Sequence, residues 1–199
     1  MALQGRKALV TGGSRGIGAA IVQALAKEGA EILINYTSDS SKSKSEDLVK
    51  EVQKLGGKAY IVQADCGSTG ELTLIPEKVR LMRGADIGEK LVAKCKEIWG
   101  EKFVIHILVN NAGLSFSLPY ARNGILTKTT GVSINEPLAE SNIETYEKTM
   151  NINVRGPMLI MKAFLPFIKK GGGGRVILLS SVSAQMGFVR LSTCAVRIV

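Results

Sequence analysis

Thr11-Gly12-Gly13-Ser14-Arg15-Gly16-Ile17-Gly18 follows the apolar run Ala8-Leu9-Val10 and opens a helical pattern, so a buried strand must turn sharply at Gly12 and pass straight into a helix. Glycines at such a turn let the backbone approach a ligand closely. The unpaired N–H groups and the positive dipole end of the next helix then face an anion. Glycine spacing alone is a weak signal, but strand, glycines and helix agree here, and the stretch reads as a pyrophosphate cradle built from Gly12, Ser14, Arg15, Gly16, Ile17 and Gly18.

Working outward, Ile17, Ile21, Ala24 and Leu25 recur at helical spacing and predict a helix over 16–28 that Gly29 stops. Ile32-Leu33-Ile34 supplies the next strand, over 31–36. The alternation continues with a helix over 43–55, a strand over 58–63, a helix over 86–99 and a strand over 105–109. A long helix over 143–169 and a strand over 175–179 complete it. On the long helix Val154, Met158, Met161, Phe164, Leu165 and Ile168 recur at helical spacing. Strands as continuously apolar as Val176-Ile177-Leu178-Leu179 imply burial on both faces, hence an α/β fold with a doubly wound parallel sheet and helices on each side. A ligand then binds at the carboxyl edge of that sheet, where Thr11, Asp65, Asn110 and Ser180 fall.

A chain of 199 residues, 45% hydrophobic and 22% charged, supports one domain over 1–199. Lys and Arg number 26 against 17 Asp and Glu, a net charge of +9. Aromatics are only 5%, and no basic stripe is interleaved with stacking rings, so the surplus reads as a solvated surface and not as a nucleic-acid interface. Cys66, Cys95 and Cys194 are odd in number and widely spaced, which fits reduced thiols and neither a disulfide framework nor a metal site. His106, the one histidine, rules out a histidine-based metal site and a Ser-His triad, and its place in the apolar run Val104 to Val109 reads as strand packing. With no leader pattern and no long apolar stretch, a cytoplasmic protein without a membrane span is expected.

Taken in order, Thr11 to Gly18, Asp65 after the third strand, Asn110-Asn111-Ala112-Gly113 after the fourth, Asn153-Val154-Arg155-Gly156 in the long helix and Ser180-Ser181 after the fifth resemble the short-chain dehydrogenase/reductase family, in its NADP-dependent branch near the 3-oxoacyl-carrier-protein reductases. The resemblance implies a Rossmann-type sheet and a nicotinamide cofactor, and says little about the substrate beyond a small carbonyl or alcohol. It also implies that Asp65 and the Cys66 backbone grip adenine, with a helix N-cap as the alternative for Asp65. Asn111, Ala112 and Gly113 would lie against the adenosine ribose.

Charge bears on the choice of cofactor. An NAD site needs a carboxylate about 20 residues past the glycines to accept the ribose 2′-hydroxyl, and that carboxylate repels a 2′-phosphate. The stretch here is Asn35-Tyr36-Thr37-Ser38, with no acid before Asp39. Arg15 in the glycine turn, with hydroxyls at Thr37 and Ser38, favours NADP; the alternative for Arg15 is a surface turn.

In the family, a Ser polarises the carbonyl, a Tyr exchanges the proton, a Lys lowers the Tyr pKa, and an Asn anchors a proton-relay water. Ser181 and Asn153 match. The Tyr position carries Cys194 and the Lys position Ile198, so neither partner is present. An unassisted thiol titrates near 8.5, and Cys194 is a ring shorter than Tyr and has no cation at Ile198 to tune it. The resemblance further implies a substrate-pocket segment and a homo-oligomer interface beyond Val199, so the sheet is expected to be incomplete at its C-terminal end. Stretches near 71–85 and 115–130 interrupt otherwise short connections and read as insertions. Three readings follow: an NADP-dependent oxidoreductase with impaired chemistry, a dinucleotide-binding module without turnover, and a truncated or mispredicted gene product.

Overall fold

The computed structural model describes residues 1–68, 86–113 and 142–180. Five strands form one sheet: β1 (Lys7–Val10), β2 (Glu31–Tyr36), β3 (Lys58–Gln63), β4 (Ile107–Asn110) and β5 (Arg175–Leu178). Their order across the sheet is β3-β2-β1-β4-β5, and every neighbouring pair is parallel. The order steps outward from β1 in one direction and then reverses to the other side. That places a crevice at the carboxyl ends of β1 and β4.

Helices α1 (Gly16–Lys27), α2 (Lys42–Lys54), α3 (Ile87–Trp99), α4 (Ile143–Met150) and α5 (Gly156–Phe164) provide the cover. Successive strand residues supply two cores, as the period of a strand requires. Ala8, Val10, Ile32, Ile34, Ile107 and Val109 pack with Val22 and Ala26 of α1 and Leu48 and Val52 of α2. Leu9, Leu33 and Leu108 pack on the other face with Ile87, Leu91 and Cys95 of α3 and Ile160 and Phe164 of α5. The doubly covered, parallel α/β sheet predicted from the apolar strands is the one found.

The buried stripe of α1 differs from the predicted one. Gly18, Val22 and Ala26 face the sheet and the predicted Ile21 and Leu25 pack partly buried against the same core, while Ile17 is 67% exposed and Ala24 is exposed. The cause is close approach: a Cβ at Gly18 would run into the Gly12 carbonyl and the Asn111 amide, so Gly18 turns inward and fixes the rotation of the helix. The long helix over 143–169 is also modified. It passes through a π turn at Asn151–Arg155, and α5 ends at Phe164 before a 3-10 turn, Leu165–Phe167, that contains Pro166. Its inward residues are Gly156, Pro157, Ile160 and Phe164; of the predicted stripe Phe164 is buried and Met161 and Ile168 pack partly buried, whereas Met158 and Leu165 are 53% and 64% exposed. Gly88 of α3 decides this, because a Cβ there would stand 2.7 Å from the Ala163 Cβ.

On β5, Val176 and Ile177 are 41% and 46% exposed, so the burial on both faces that its apolar run implies gives way to the uncovered C-terminal end of the sheet that was also expected. Among the described residues this strand pairs with β4 alone and lies last in the sheet order. The insertions expected near 71–85 and 115–130 lie outside the described residues. Among the described residues, no helix is long and apolar enough to cross a membrane.

Candidate functional site

The glycine turn sits at the carboxyl end of β1, and its geometry follows from what each glycine meets. Gly12 has φ +60°, and a Cβ on it would stand 3.0 Å from Ala112 Cα, so this turn and the one after β4 touch backbone to backbone. Gly16 has φ +56° and faces open space. Arg15 is the N-cap of α1 in extended conformation, offers no side-chain cap, and is followed by a first turn without an acid. Among the described residues no acid in its first turn and no N-cap side chain meets the N–H end of α1, and the open space over Gly16 leaves room for an anion there. Ile17 stands exposed beside it. These residues fit the pyrophosphate of a dinucleotide.

Thr11 joins the two turns. Buried to 1% exposure, its Oγ1 accepts from the backbone N–H of Asn111 at 3.1 Å and of Ala112 at 3.0 Å, and donates to the Val109 carbonyl at 3.4 Å. The Asn111 side chain answers by donating to the carbonyls of Thr11 at 2.9 Å and Gly12 at 3.0 Å. Asn110, 3% exposed at the end of β4, finds no hydrogen-bond partner for its Nδ2 or its Oδ1 among the described residues. A buried amide left unpaired is destabilising, which suits an edge completed by a bound polar group. Gly113 is exposed and lies near Asn153, whose Oδ1 would be 3.7 Å from a Cβ at Gly113; Asn153 itself is part of the π turn.

The rim beside β2 and β3 carries the residues expected to read the ribose and adenine. Tyr36 is buried, while Thr37 and Ser38 are exposed. The Ser38 hydroxyl lies 2.8 Å from that of Ser40 and 3.3 Å from that of Ser41, a cluster of hydroxyls just ahead of α2. Asp39, the first acid of the stretch, accepts from Gln63 Nε2 at 2.9 Å. Asp65 Oδ1 accepts from the Gly67 N–H at 2.9 Å, closing a local turn, and the N-cap of the next described helix, α3, is Asp86 with a full capping box. Cys66 is 2% exposed, and burial, with the Asp65 carboxylate beside it, pushes its thiol up to about 12. The thiol is inert on that account, and only the backbone of Cys66 can serve a ligand.

The structure thus brings Gly12, Ser14, Arg15, Gly16, Ile17 and Gly18 to one edge with Thr37, Ser38, Asp65, Cys66, Asn111, Ala112 and Gly113, and sets Asn153 beside Gly113. Ser181, Cys194 and Ile198 lie outside the described residues. His106 belongs to the opposite edge, where its Nδ1 accepts from the Lys7 N–H at 3.2 Å. Sequence reasoning gave no role to Asn35, which is completely buried in β2 and hydrogen-bonds to both rims of the site. Its signal was a lone carboxamide in the apolar strand Glu31–Tyr36.

A sequence model described as short chain dehydrogenase matches residues 6–194. L-xylo-3-hexulose reductase of Hypocrea jecorina is 34% identical over 194 residues, covering 96% of this chain and 57% of that protein. Among solved structures, a blue fluorescent protein from a metagenomic library in complex with NADPH has a TM-score of 0.71 and 34% identity, covering 98% of this chain and 64% of the other. A short chain dehydrogenase from Burkholderia cenocepacia in complex with NADP has a TM-score of 0.68 and 29% identity, covering 98% of this chain and 65% of the other. The chain spans little more than half the length of the curated relative.

Proposed function

Because this chain belongs to the short chain dehydrogenase family, we propose that it binds NADP(H) in preference to NAD(H) at the carboxyl edge of its sheet, with the oxidoreductase chemistry of the family weakened by the residues at two catalytic positions. The observation that carries the reading is the glycine turn, whose open, uncapped helix start adjoins Arg15 and a hydroxyl-lined rim. Two relatives of similar fold are solved with NADPH and NADP, which supports the choice of cofactor.

The cofactor, when bound, supplies a hydride to a carbonyl carbon or takes one from an alcohol. The residues of this chain bind and orient it. N–H groups at the start of α1 meet the pyrophosphate, for which the open space over Gly16 leaves room. Arg15, Thr37 and Ser38 meet a 2′-phosphate by charge-assisted hydrogen bonds, while Asp39, the nearest acid, is engaged by Gln63. Asn111, Ala112 and Gly113 line the ribose, and Asp65 with the Cys66 backbone holds adenine. At the reacting end Ser181 would polarise the carbonyl oxygen and Asn153 would hold a relay water. A positioned acid is worth on the order of 10² to 10⁴ in rate, and Cys194 with Ile198 is a poor replacement for a Tyr tuned by a Lys.

The substrate class is a small ketone, aldehyde or the corresponding alcohol, in the cytosol, with no nucleic-acid or membrane partner. Of the readings open to such a chain, a dinucleotide-binding module of low turnover is favoured over a competent reductase by Cys194 and Ile198. Following carbonyl-dependent NADPH oxidation with simple ketones and acetoacetyl thioesters tests this. The expected result is little or no oxidation, incompletely restored by joining Cys194→Tyr to Ile198→Lys; robust turnover by the unaltered chain would refute the reading and make Cys194 a candidate acid.

A further inference from the structure

Asn35 is a fully buried side chain in a strand whose other residues after Glu31 are apolar or aromatic. Its carboxamide is satisfied on every side, and all its partners lie at that edge. Oδ1 accepts from the Gly12 N–H at 3.3 Å and from the Cys66 thiol at 3.3 Å. Nδ2 donates to the Ala64 carbonyl at 2.9 Å, with the Val62 and Tyr36 carbonyls each at 3.4 Å. The amide orientation is fixed by these partners, since only the nitrogen can face three carbonyls and only the oxygen can face an N–H. The Asn35 backbone carbonyl also accepts from the Gly13 N–H at 2.9 Å.

A valine or isoleucine would fill this place in the core as well as Asn does. Neither could bridge the phosphate turn to the turn that follows β3. We propose that Asn35 is a positioning residue: it holds Gly12 and Gly13 in register with residues 64–67, so that the pyrophosphate and adenine ends of one dinucleotide are gripped at a fixed separation. Its contribution to affinity rests on the cofactor reading above, while the brace itself does not.

The test uses the full chain without ligand and then with NADPH. In the ligand-free chain, Asn35→Ala is expected to speed hydrogen exchange by about fivefold or more at both the 12–13 and the 64–67 amides. Asn35→Asp, which keeps the acceptor and loses the donor, loosens 64–67 more than 12–13. Val52→Ala, a buried substitution on α2 that packs by Gly57 at the amino end of β3, should lower the melting temperature with neither change. With NADPH, Asn35→Ala should raise Kd by about tenfold or more. Exchange that rises in neither turn, or in one turn only under Asn35→Ala, or in both turns equally under Val52→Ala, overturns the brace. If both turns loosen and the unaltered chain binds NADPH, a Kd shift under twofold overturns the link to affinity. If both turns loosen and the unaltered chain does not bind NADPH, the brace stands and the cofactor reading falls.

Discussion

Thr11 shows how one side chain can set the shape of the site. Its Oγ1 is the partner of two backbone N–H groups, those of Asn111 and Ala112. The isosteric change Thr11→Val strands both donors, and a stranded buried donor costs about 1–3 kcal/mol. Urea denaturation should show stability lowered by about 1–3 kcal/mol for each stranded donor, seen as a lower midpoint at an unchanged slope, whereas an unchanged midpoint would mean the two amides find other partners. His106 gives a pH signature. Burial lowers its pKa, and the Arg6, Lys169 and Lys7 cations lower it further. Its Nδ1 is already committed as an acceptor to Lys7, which a ring protonated there could not be. The unfolded chain therefore takes up this proton near the ordinary value of about 6.5 while the folded chain resists it. The stability that depends on neutral His106 is complete above that value and lost as pH falls toward the folded pKa. Between about pH 7 and pH 5, the melting temperature of the native chain should fall more than that of His106→Gln; parallel curves would contradict the assignment.

At the scale of elements, the sequence shows which segments exist, and close contacts between backbones decide how they are rotated. The strands over 31–36 and 58–63 are found with the bounds that their apolar runs predict. The helix over 16–28 is found too, ending one residue earlier. Its inward face was legible in part: Ile21 and Leu25 do pack against the core, but Ile17 outranks Gly18 in hydrophobicity, and only the approach of Gly12 and Asn111 makes Gly18 the contact residue. The same holds for the long helix, where Gly88 and Gly156 set the packing and the π turn at Asn151–Arg155 shifts the register of everything after it. Gly18→Ala should therefore do more than the small effect expected of an alanine in a helix. The added Cβ displaces α1 from the turn, and overpacking of this kind costs about 1–3 kcal/mol. NADPH binding should weaken along with stability. Thermal melting and NADPH titration of Gly18→Ala check both, and a variant as stable and as tight as the native chain would remove the close-approach argument.

For the whole molecule, the parallel order of the sheet and the family follow from a few short motifs in their sequence order. What motifs could not reveal is the wiring between them. Thr11, Asn35 and Asn111 are linked to partners up to about a hundred residues away in sequence, and no local pattern announces such pairs. The net charge of +9 also reads better with the fold in view. Arg6, Lys7 and Lys169 lie around His106 at the edge opposite the site, and the charge argument for the cofactor rests on Arg15 and the acid-free stretch before Asp39. That makes cofactor choice the most direct test of the account. Calorimetric titration of the chain with NADPH and with NADH should give the tighter Kd for NADPH, and Arg15→Ala should narrow the difference by about 1.5–3 kcal/mol. Equal affinities, or tighter binding of NADH, would contradict it.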